Sequence, residues 1–154
     1  MSAQTTYYSE DFESFNADDK TWSGTTTASD LALFYQGLLN DGTGRGPGIW
    51  KPETLEMALE VRSGDLVDPI FGMPVHRGLG VVIAGDEKRT YRGFGHTHSE
   101  LAFGHGGAGG QIGWADPATG ISLGYCTNGF DRHVLRQARR GVGISSRAAA
   151  LALD

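Results

Sequence analysis

A glycine-rich stretch in the C-terminal half of the chain restricts the fold more than any other feature. Between Gly104 and Gly110 the sequence holds five glycines and one histidine. Two short apolar runs follow, Gln111–Ala115 and Ile121–Thr127, and a turn sequence with Asp, Pro and Gly separates them. Glycines at a strand end indicate that another group approaches the backbone closely. Pro and Gly between β-type runs predict a hairpin. The stretch therefore predicts antiparallel strands with a glycine-rich strand end.

Periodicity elsewhere predicts an α+β fold, with a largely antiparallel sheet flanked by helices. One helix is predicted over Thr27–Asn40, where Thr27 and Asp30 form a capping pair. Its apolar residues recur at helical spacing and form one inward stripe: Leu31, Phe34, Tyr35, Leu38 and Leu39. A second helix is predicted over Pro52–Val61, because proline suits a first helical turn. The predicted strands are Leu79–Ala84, Leu101–His105, Gln111–Ala115 and Ile121–Thr127.

The remaining segments carry weaker patterns. Residues 1–20 are polar and acidic without a clean period, and they predict an N-terminal arm ahead of a folded domain at 21–154. Asp86–Gly95 predicts a hairpin tip or a surface loop. Asp131 predicts the cap of a terminal helix. In that helix Gly141 and Gly143 are expected to act as breaks, and an apolar stripe is expected to face inward, formed by Val134, Leu135, Ala138 and Val142.

Composition excludes several kinds of partner. A net charge of −5 argues against nucleic acid as the main partner. No apolar run reaches membrane-spanning length, and the N-terminus lacks the layout of a signal peptide. We therefore expect no membrane span and a cytoplasmic location by default. The single cysteine, Cys126, excludes an internal disulfide.

The segment Phe103–Asn128 resembles the C-terminal sheet of the serine β-lactamase-like hydrolases, which include class C β-lactamases, DD-peptidases and related esterases. In that family a Lys-Thr-Gly or His-x-Gly triplet on an inner strand lines the active site. The triplet His105-Gly106-Gly107 matches the His-x-Gly form. The resemblance extends to the helical segments Thr27–Asn40 and Trp50–Ala58. It implies a β-lactamase/transpeptidase-like fold that lacks the N-terminal region carrying the nucleophile.

The resemblance also implies roles for five residues. His105 would take the lysine position of the triplet, where it would hydrogen-bond substrate or tune the catalytic base. The N–H of Ala108 would be the second oxyanion-hole donor. Gly106, Gly107 and Gly109 would line the substrate. The implied substrate is a small-molecule ester or amide that is attacked by serine, without a metal or an organic cofactor.

The nucleophile motif of that family, Ser-x-x-Lys, is missing from the sequence. The three lysines are preceded at the third position by Ala17, Gly48 and Gly85. A Tyr-x-Asn general-base motif is missing too. The sequence is therefore interpreted as a C-terminal hydrolase segment that is inactive alone, with a missing N-terminal segment or a second copy as its partner. The alternative is a non-catalytic binding or scaffolding domain derived from the same fold.

Two further patterns in this region have other interpretations. Gly104–Gly109 matches G-x-G-x-x-G, but dinucleotide binding requires a helix after the glycines, and a β-hairpin is predicted there. His96, His98 and His105 could together hold Zn²⁺. No cysteine or carboxylate at a firm spacing supports such a site. We therefore expect no metal and interpret the histidines as surface-loop residues near a cleft.

Overall fold

A four-stranded antiparallel sheet with helices on both faces forms the centre of the molecule. The computed structural model describes residues 26–107, 109–128 and 133–152. The helices are α1 (Ala28–Gly42), α2 (Pro52–Leu59) and α3 (Val134–Ala149), with 3₁₀ helices at Glu87–Arg92 and Ala150–Ala152. A two-stranded pair, β1 (Val67–Asp68) and β2 (Met73–Pro74), precedes the strands of the sheet, which are β3 (Val82–Ile83), β4 (Phe103–Gly106), β5 (Ile112–Asp116) and β6 (Ile121–Tyr125). The α+β prediction is confirmed.

Helix α1 begins as the sequence predicts. The Thr27 hydroxyl accepts a hydrogen bond from Asp30 N at 3.1 Å, and the Asp30 carboxylate accepts one from Thr27 N at 3.4 Å. This capping box satisfies two backbone donors that would otherwise lack partners. Tyr35 and Leu39 are buried against the sheet. The predicted stripe is wrong for Phe34, which is 52% exposed, because α1 contacts the sheet along a narrower line around Tyr35.

Helix α2 has Pro52 in its first turn, as predicted, and buries Leu55. It ends at Leu59, two residues before the predicted end at Val61, because the backbone of Glu60 is extended with ψ of 133°. Leu59 packs against the α1 side of the sheet. The two helices therefore cover the same face.

The sheet follows chain order, β3-β4-β5-β6, and all its pairings are antiparallel. The predicted hairpin joins β5 to β6, with Asp116 opposite Ile121. Strand β3 is shorter than the predicted Leu79–Ala84. Gly80 and Gly85 have φ of 76° and 60°, and such left-handed backbone interrupts a strand.

Each face of the sheet buries its own hydrophobic core. On one face Trp114 packs in a cluster that includes Ala149 of α3. On the other face Phe103 and Ala115 pack with Tyr35 of α1. Since side chains alternate along a strand, the neighbours Trp114 and Ala115 belong to opposite cores. All of β5 is therefore buried.

Helix α3 begins at a different residue from the predicted one. The ring of His133 caps it, since Nδ1 accepts a hydrogen bond from Arg136 N at 3.2 Å. The prediction of Asp131 as the cap is wrong, and Asp131 itself lies outside the described residues. A ring nitrogen can replace a carboxylate here because the first backbone N–H groups of a helix need only an acceptor.

The glycines of α3 bring the helix close to the sheet and do not end it. The helix continues through Gly141 and Gly143 to Ala149, contrary to the predicted break. Gly141 is buried, and a Cβ atom there would lie 3.0 Å from Ile112 Cδ1. The buried residues of α3 begin at Gly141. For this reason the prediction that the earlier residues Val134, Leu135 and Ala138 face inward is wrong, and they are exposed.

Two further predictions concern the N-terminal arm and the membrane. Residues 1–20, the predicted arm, lie outside the described residues, so the division at residue 20 stays a prediction. Among the helices that the structure describes, none combines the length and apolar character needed to cross a bilayer.

Candidate active-site wall

Strand β4 extends past its neighbour on one side. β3 pairs with β4 only at Phe103 and Gly104, whereas β5 pairs with it as far as His105 and Gly106. No strand within the described ranges pairs with His105 and Gly106 on the β3 side, and both residues are exposed. The end of β4 is therefore an open strand edge that β5 holds in place.

The His105 side chain has a defined orientation at this edge. Its Nδ1 lies 2.6 Å from the carbonyl oxygen of Gly106. A carbonyl oxygen can only accept, so Nδ1 carries the hydrogen in this contact. In the neutral ring Nε2 is then the acceptor. The imidazole can accept a hydrogen bond or a proton from a group that enters the open edge.

Tyr35 of α1 supports the same strand end from the core. Burial raises the pKa of Tyr35, and a backbone hydrogen bond from His105 acts in the opposite direction. The Tyr35 ring lies 6.2 Å from the Phe103 ring, between centroids. The helical pattern in the sequence predicts Tyr35 as a core residue alone. Its contact with the site depends on how α1 crosses the sheet.

Backbone hydrogen bonds hold the glycine-rich turn after β4. Gly107 N donates to Gln111 O at 2.8 Å, and Gly110 N donates to Gly107 O at 3.2 Å. Positive φ occurs at Gly109 (83°) and Gly110 (103°) and not at Gly107. Left-handed backbone is thus required just after the His-x-Gly triplet. Ala108, the predicted oxyanion donor, lies outside the described residues.

Helix α3 packs against this turn through two side chains. Arg140 Nη2 donates to Gly109 O at 3.4 Å. A Cβ atom on Gly110 would lie 2.6 Å from Arg140 Nη2 and 3.1 Å from Gln137 Cγ. Gly110 is therefore required by contact as well as by backbone angle. Arg140 could not be predicted as a site residue, because nothing near it in the chain indicates the turn that it contacts.

A small cleft beside His105 includes residues from the segment that the sequence places in a surface loop. Arg92 of that segment is buried, and its guanidinium donates to Ala84 O at 2.5 Å and to Asp86 Oδ1 at 2.7 Å. The hydrogen bond from Arg92 holds the pKa of Asp86 below its usual value. Asp86–Gly95 lies in the connection between the paired strands β3 and β4, in agreement with the hairpin alternative. The surface-loop prediction is wrong for Arg92, because a 3₁₀ helix folds back and buries it. The cleft is lined by Arg92, Gly93, Phe94, His105, Gly106, Ile112, Gly113 and Trp114.

The three histidines that were considered as zinc ligands have different environments. His96 is exposed, and its backbone N–H donates to Ser146 Oγ at 2.9 Å. His98 is buried with its ring centroid 4.2 Å from that of Trp114, so the surface-loop prediction is wrong for it. Its Nδ1 accepts a hydrogen bond from Gly95 N at 2.9 Å. In the part of the chain that the structure describes, no group of three or more His, Cys, Asp or Glu side chains could hold a metal ion.

The G-x-G-x-x-G pattern leads into strand β5. A dinucleotide site of this type needs a helix N-terminus after the glycines, because the N–H groups there bind the pyrophosphate. The segment after Gly110 supplies a buried strand instead. The geometry therefore agrees with the predicted hairpin.

The model of a known protein family matches most of this sequence. The family model described as Beta-lactamase matches residues 2–145. This chain belongs to the β-lactamase family. The resemblance found in the sequence is thereby confirmed, and so is the β-lactamase/transpeptidase-like fold.

Solved structures are similar to this member of the β-lactamase family. A β-lactamase from Mycobacterium bovis is 26% identical, with a TM-score of 0.67 over 82% of this chain. A penicillin-binding protein homolog from Caulobacter crescentus is 24% identical, with a TM-score of 0.61 over 82% of the chain. A family VIII carboxylesterase is 20% identical, with a TM-score of 0.52 over 75%. The last two likenesses show the fold alone. No curated protein matches the chain.

The chain is much shorter than these proteins. It spans 44% of the Mycobacterium β-lactamase, 32% of the Caulobacter protein and 30% of the carboxylesterase. Family membership establishes that this segment has a β-lactamase-family hydrolase fold.

Proposed function

We propose that this chain forms the substrate-facing wall of a serine hydrolase that cleaves an ester or amide through an acyl-enzyme. One observation carries the proposal. His105 and Gly106 form an open strand edge that the sheet holds rigidly on its other side. A rigid element places catalytic groups more accurately than a free loop does.

An extended substrate would lie along this edge. The exposed backbone of Gly106 can pair with the main chain of a peptide-like substrate, as in strand addition, whereas the N–H and C=O groups of Gly107 already form hydrogen bonds within the turn. Neither residue carries a side chain that would obstruct it, and Gly109 gives the turn its left-handed backbone. His105 Nε2 would accept a hydrogen bond from the substrate or from the catalytic base.

The N–H of Ala108 would stabilise the negative charge that develops on the carbonyl oxygen. In the proposed reaction a serine oxygen attacks the carbonyl carbon, and the C–O or C–N bond of the leaving group breaks as that group takes up a proton. Water then hydrolyses the acyl-serine and restores the serine. An oxyanion donor of this kind typically contributes about 2.7–4 kcal/mol. The reaction uses neither a metal nor an organic cofactor.

The serine and its lysine would come from outside these 154 residues, since no Ser-x-x-Lys occurs among them. We propose an upstream segment of the same polypeptide as their source. The isolated chain would then be inactive. Its small-molecule substrate would bind only when the two parts form one cleft.

The test is to express the chain together with the coding sequence directly upstream. We expect a Ser-x-x-Lys in that sequence, hydrolysis of p-nitrophenyl acetate, and an activated phosphonate attached to that serine by mass spectrometry. His105→Ala should lower kcat/KM by about 10- to 160-fold, which corresponds to the 1.5–3 kcal/mol of a hydrogen bond to a charged group. His96→Ala is the matched control, because that ring is exposed outside the cleft.

Labelling with the activated phosphonate also distinguishes this proposal from its alternatives. In the isolated chain we expect no labelled serine, and stoichiometric labelling there would require a different nucleophile. The missing Ser-x-x-Lys also favours a second candidate, a non-catalytic binding domain that retains the sheet. Absence of both the motif upstream and any hydrolysis by the longer protein would overturn the hydrolase proposal in favour of that candidate.

A further inference from the structure

The first turns of α3, residues 133–139, project past the part of the helix that packs on the sheet. We name them the overhang. The buried face of α3 continues into it, since Val134 and Ala138 lie at i, i+4, i+7 and i+11 with the buried residues Gly141 and Ser145. Val134 and its neighbour Leu135 are nevertheless 74% and 71% exposed. The overhang therefore presents an apolar face to solvent.

This face lies on a strongly cationic helix. α3 contains four arginines and no acidic residue between Val134 and Ala149. Arg136 and Arg139 are exposed within the overhang itself. The partial positive charge of a helix N-terminus adds to theirs. A segment that covers the overhang should therefore combine apolar side chains with negative charge.

The overhang lies at the end of the sheet where the described chain begins. Gln137 and Arg140 pack on Gly110, in the turn between β4 and β5. At the same end of β5, Ile112 pairs with Tyr125 of β6. Next to Tyr125, a Cβ atom on Gly124 would lie 2.0 Å from Ala28 O at the start of α1. The chain preceding α1 is thus attached close to this end.

From these observations we infer that residues 7–19 of the same chain dock on the overhang. This segment carries the aromatic side chains Tyr7, Tyr8, Phe12 and Phe15, the acids Glu10, Asp11, Glu13, Asp18 and Asp19, and no basic residue. Seven Cα–Cα steps separate Asp19 from Thr26, and they can span about 23 Å when extended. Because α1 and α3 pack on opposite faces of the sheet, the connection must pass the sheet edge, and its reach exceeds two helix diameters, about 20 Å.

The charge of the overhang distinguishes it from another exposed apolar patch. That patch lies on and beside the β1–β2 pair and consists of Leu66, Val67, Ile70 and Phe71. It follows the exposed acid Asp65, and like charges repel an acidic segment. Docking on the overhang would place residues 7–19 next to the glycine-rich turn. The inference does not depend on the proposed catalytic function.

Photo-crosslinking in the full chain tests this directly. Leu135 is replaced by p-benzoylphenylalanine, and crosslinked peptides are mapped by mass spectrometry after irradiation. The matched control carries the same residue at Leu66, which is 75% exposed on the other patch. We expect crosslinks from position 135 to residues 7–19 within one molecule, and none to that segment from position 66.

A mixture of ¹⁵N-labelled and unlabelled protein distinguishes a second copy from the same chain. Crosslinks between labelled and unlabelled molecules would overturn the inference in favour of self-association. So would crosslinks from position 135 that never reach residues 7–19.

Charge reversal supplies an independent measurement. Arg139→Glu should lower the crosslink yield at position 135 by about 1.4- to 5-fold, the range of a surface ion pair of 0.2–1 kcal/mol. Arg147→Glu is the control, since Arg147 is also exposed but lies near the other end of α3. Circular dichroism verifies that both variants are folded. An equal loss of yield in both would contradict a specific docking of the acidic segment.

Discussion

The ring of Tyr35 occupies the space that a side chain at Gly113 would take. A Cβ atom at Gly113 would lie 2.4 Å from Tyr35 Cε2 and 3.0 Å from Leu31 Cγ. Gly113 also pairs with His105 across β4 and β5. The contact therefore links the packing of α1 to the strand end that forms the proposed active-site wall.

Gly113→Ala should destabilise the protein by about 1–3 kcal/mol, the usual range for an extra group forced into a packed core. Chemical denaturation with urea measures the change in the free energy of unfolding. Gly37→Ala is the matched control, since a Cβ atom there meets no atom within 4 Å. That substitution should stabilise α1 by about 0.5–1 kcal/mol. Equal stability of Gly113→Ala and the unmodified protein would contradict this packing of Tyr35 against Gly113.

Ser145→Ala should also destabilise the fold. Trp114 Nε1 donates to Ser145 Oγ at 3.1 Å, and both residues are buried. Removing the hydroxyl leaves a buried N–H without that acceptor, which costs about 1–3 kcal/mol, and the better helix propensity of alanine offsets part of this. The loss should be smaller in a Trp114→Phe background. A double-mutant cycle measures this coupling, and a coupling of zero would show that the hydrogen bond does not contribute.

The stability of the protein should decrease in mild acid because of His98. Burial holds the pKa of His98 below its usual value of 6.5, although the negative charge of Asp116 opposes this shift. The unfolded chain therefore binds a proton more readily than the folded one. The contribution is fully present above pH 6.5 and is lost as the pH falls from 6.5 toward the folded-state pKa. Its slope cannot exceed about 1.4 kcal/mol per pH unit.

Urea unfolding at about pH 7.5 and about pH 5.5 checks this, since histidine titrates between them. His98→Asn retains an acceptor for Gly95 N and should remove this part of the pH dependence. His96→Asn leaves the buried ring in place and should retain it. If His98→Asn and the unmodified protein lost equal stability on acidification, the assignment to His98 would be wrong.

Gly107→Val should lower kcat/KM by about 100-fold or more in an enzyme that joins this chain to a nucleophile, as displacements near 1 Å can do. A Cβ atom at Gly107 would lie 3.3 Å from Gln111 Cβ, and a branched side chain would also enter the open edge. A control glycine must not have left-handed backbone, which valine rarely adopts, and this excludes Gly44 with its φ of 70°. Gly42→Val is suitable, since its nearest contact is Leu55 Cδ1 at 3.8 Å. Similar activity of the two variants would exclude the glycine-rich strand end as a substrate wall.

Several local features could be predicted from the sequence. The capping box of Thr27 and Asp30, the proline at the start of α2 and the hairpin after Asp116 all appear as predicted. Each depends on residues within one turn of one another, so the spacing alone specifies the interaction. The His-x-Gly triplet also lies at a strand end, as the glycine pattern predicts.

Only the tertiary structure decided which faces meet and which polar side chains are buried. His98 and Arg92 lie in segments that the sequence predicts as surface loops, yet both are buried. Trp114 of β5 packs on the His98 ring, and the backbone of the 3₁₀ helix turns Arg92 inward to Ala84 O. Gly141 has the local signature of a helix break, but its lack of a side chain allows α3 to contact Ile112. Local propensity differs by about 1 kcal/mol between glycine and alanine in a helix. Packing of a whole helix face contributes more than that, so the sequence determined the elements and long-range contacts determined their environments.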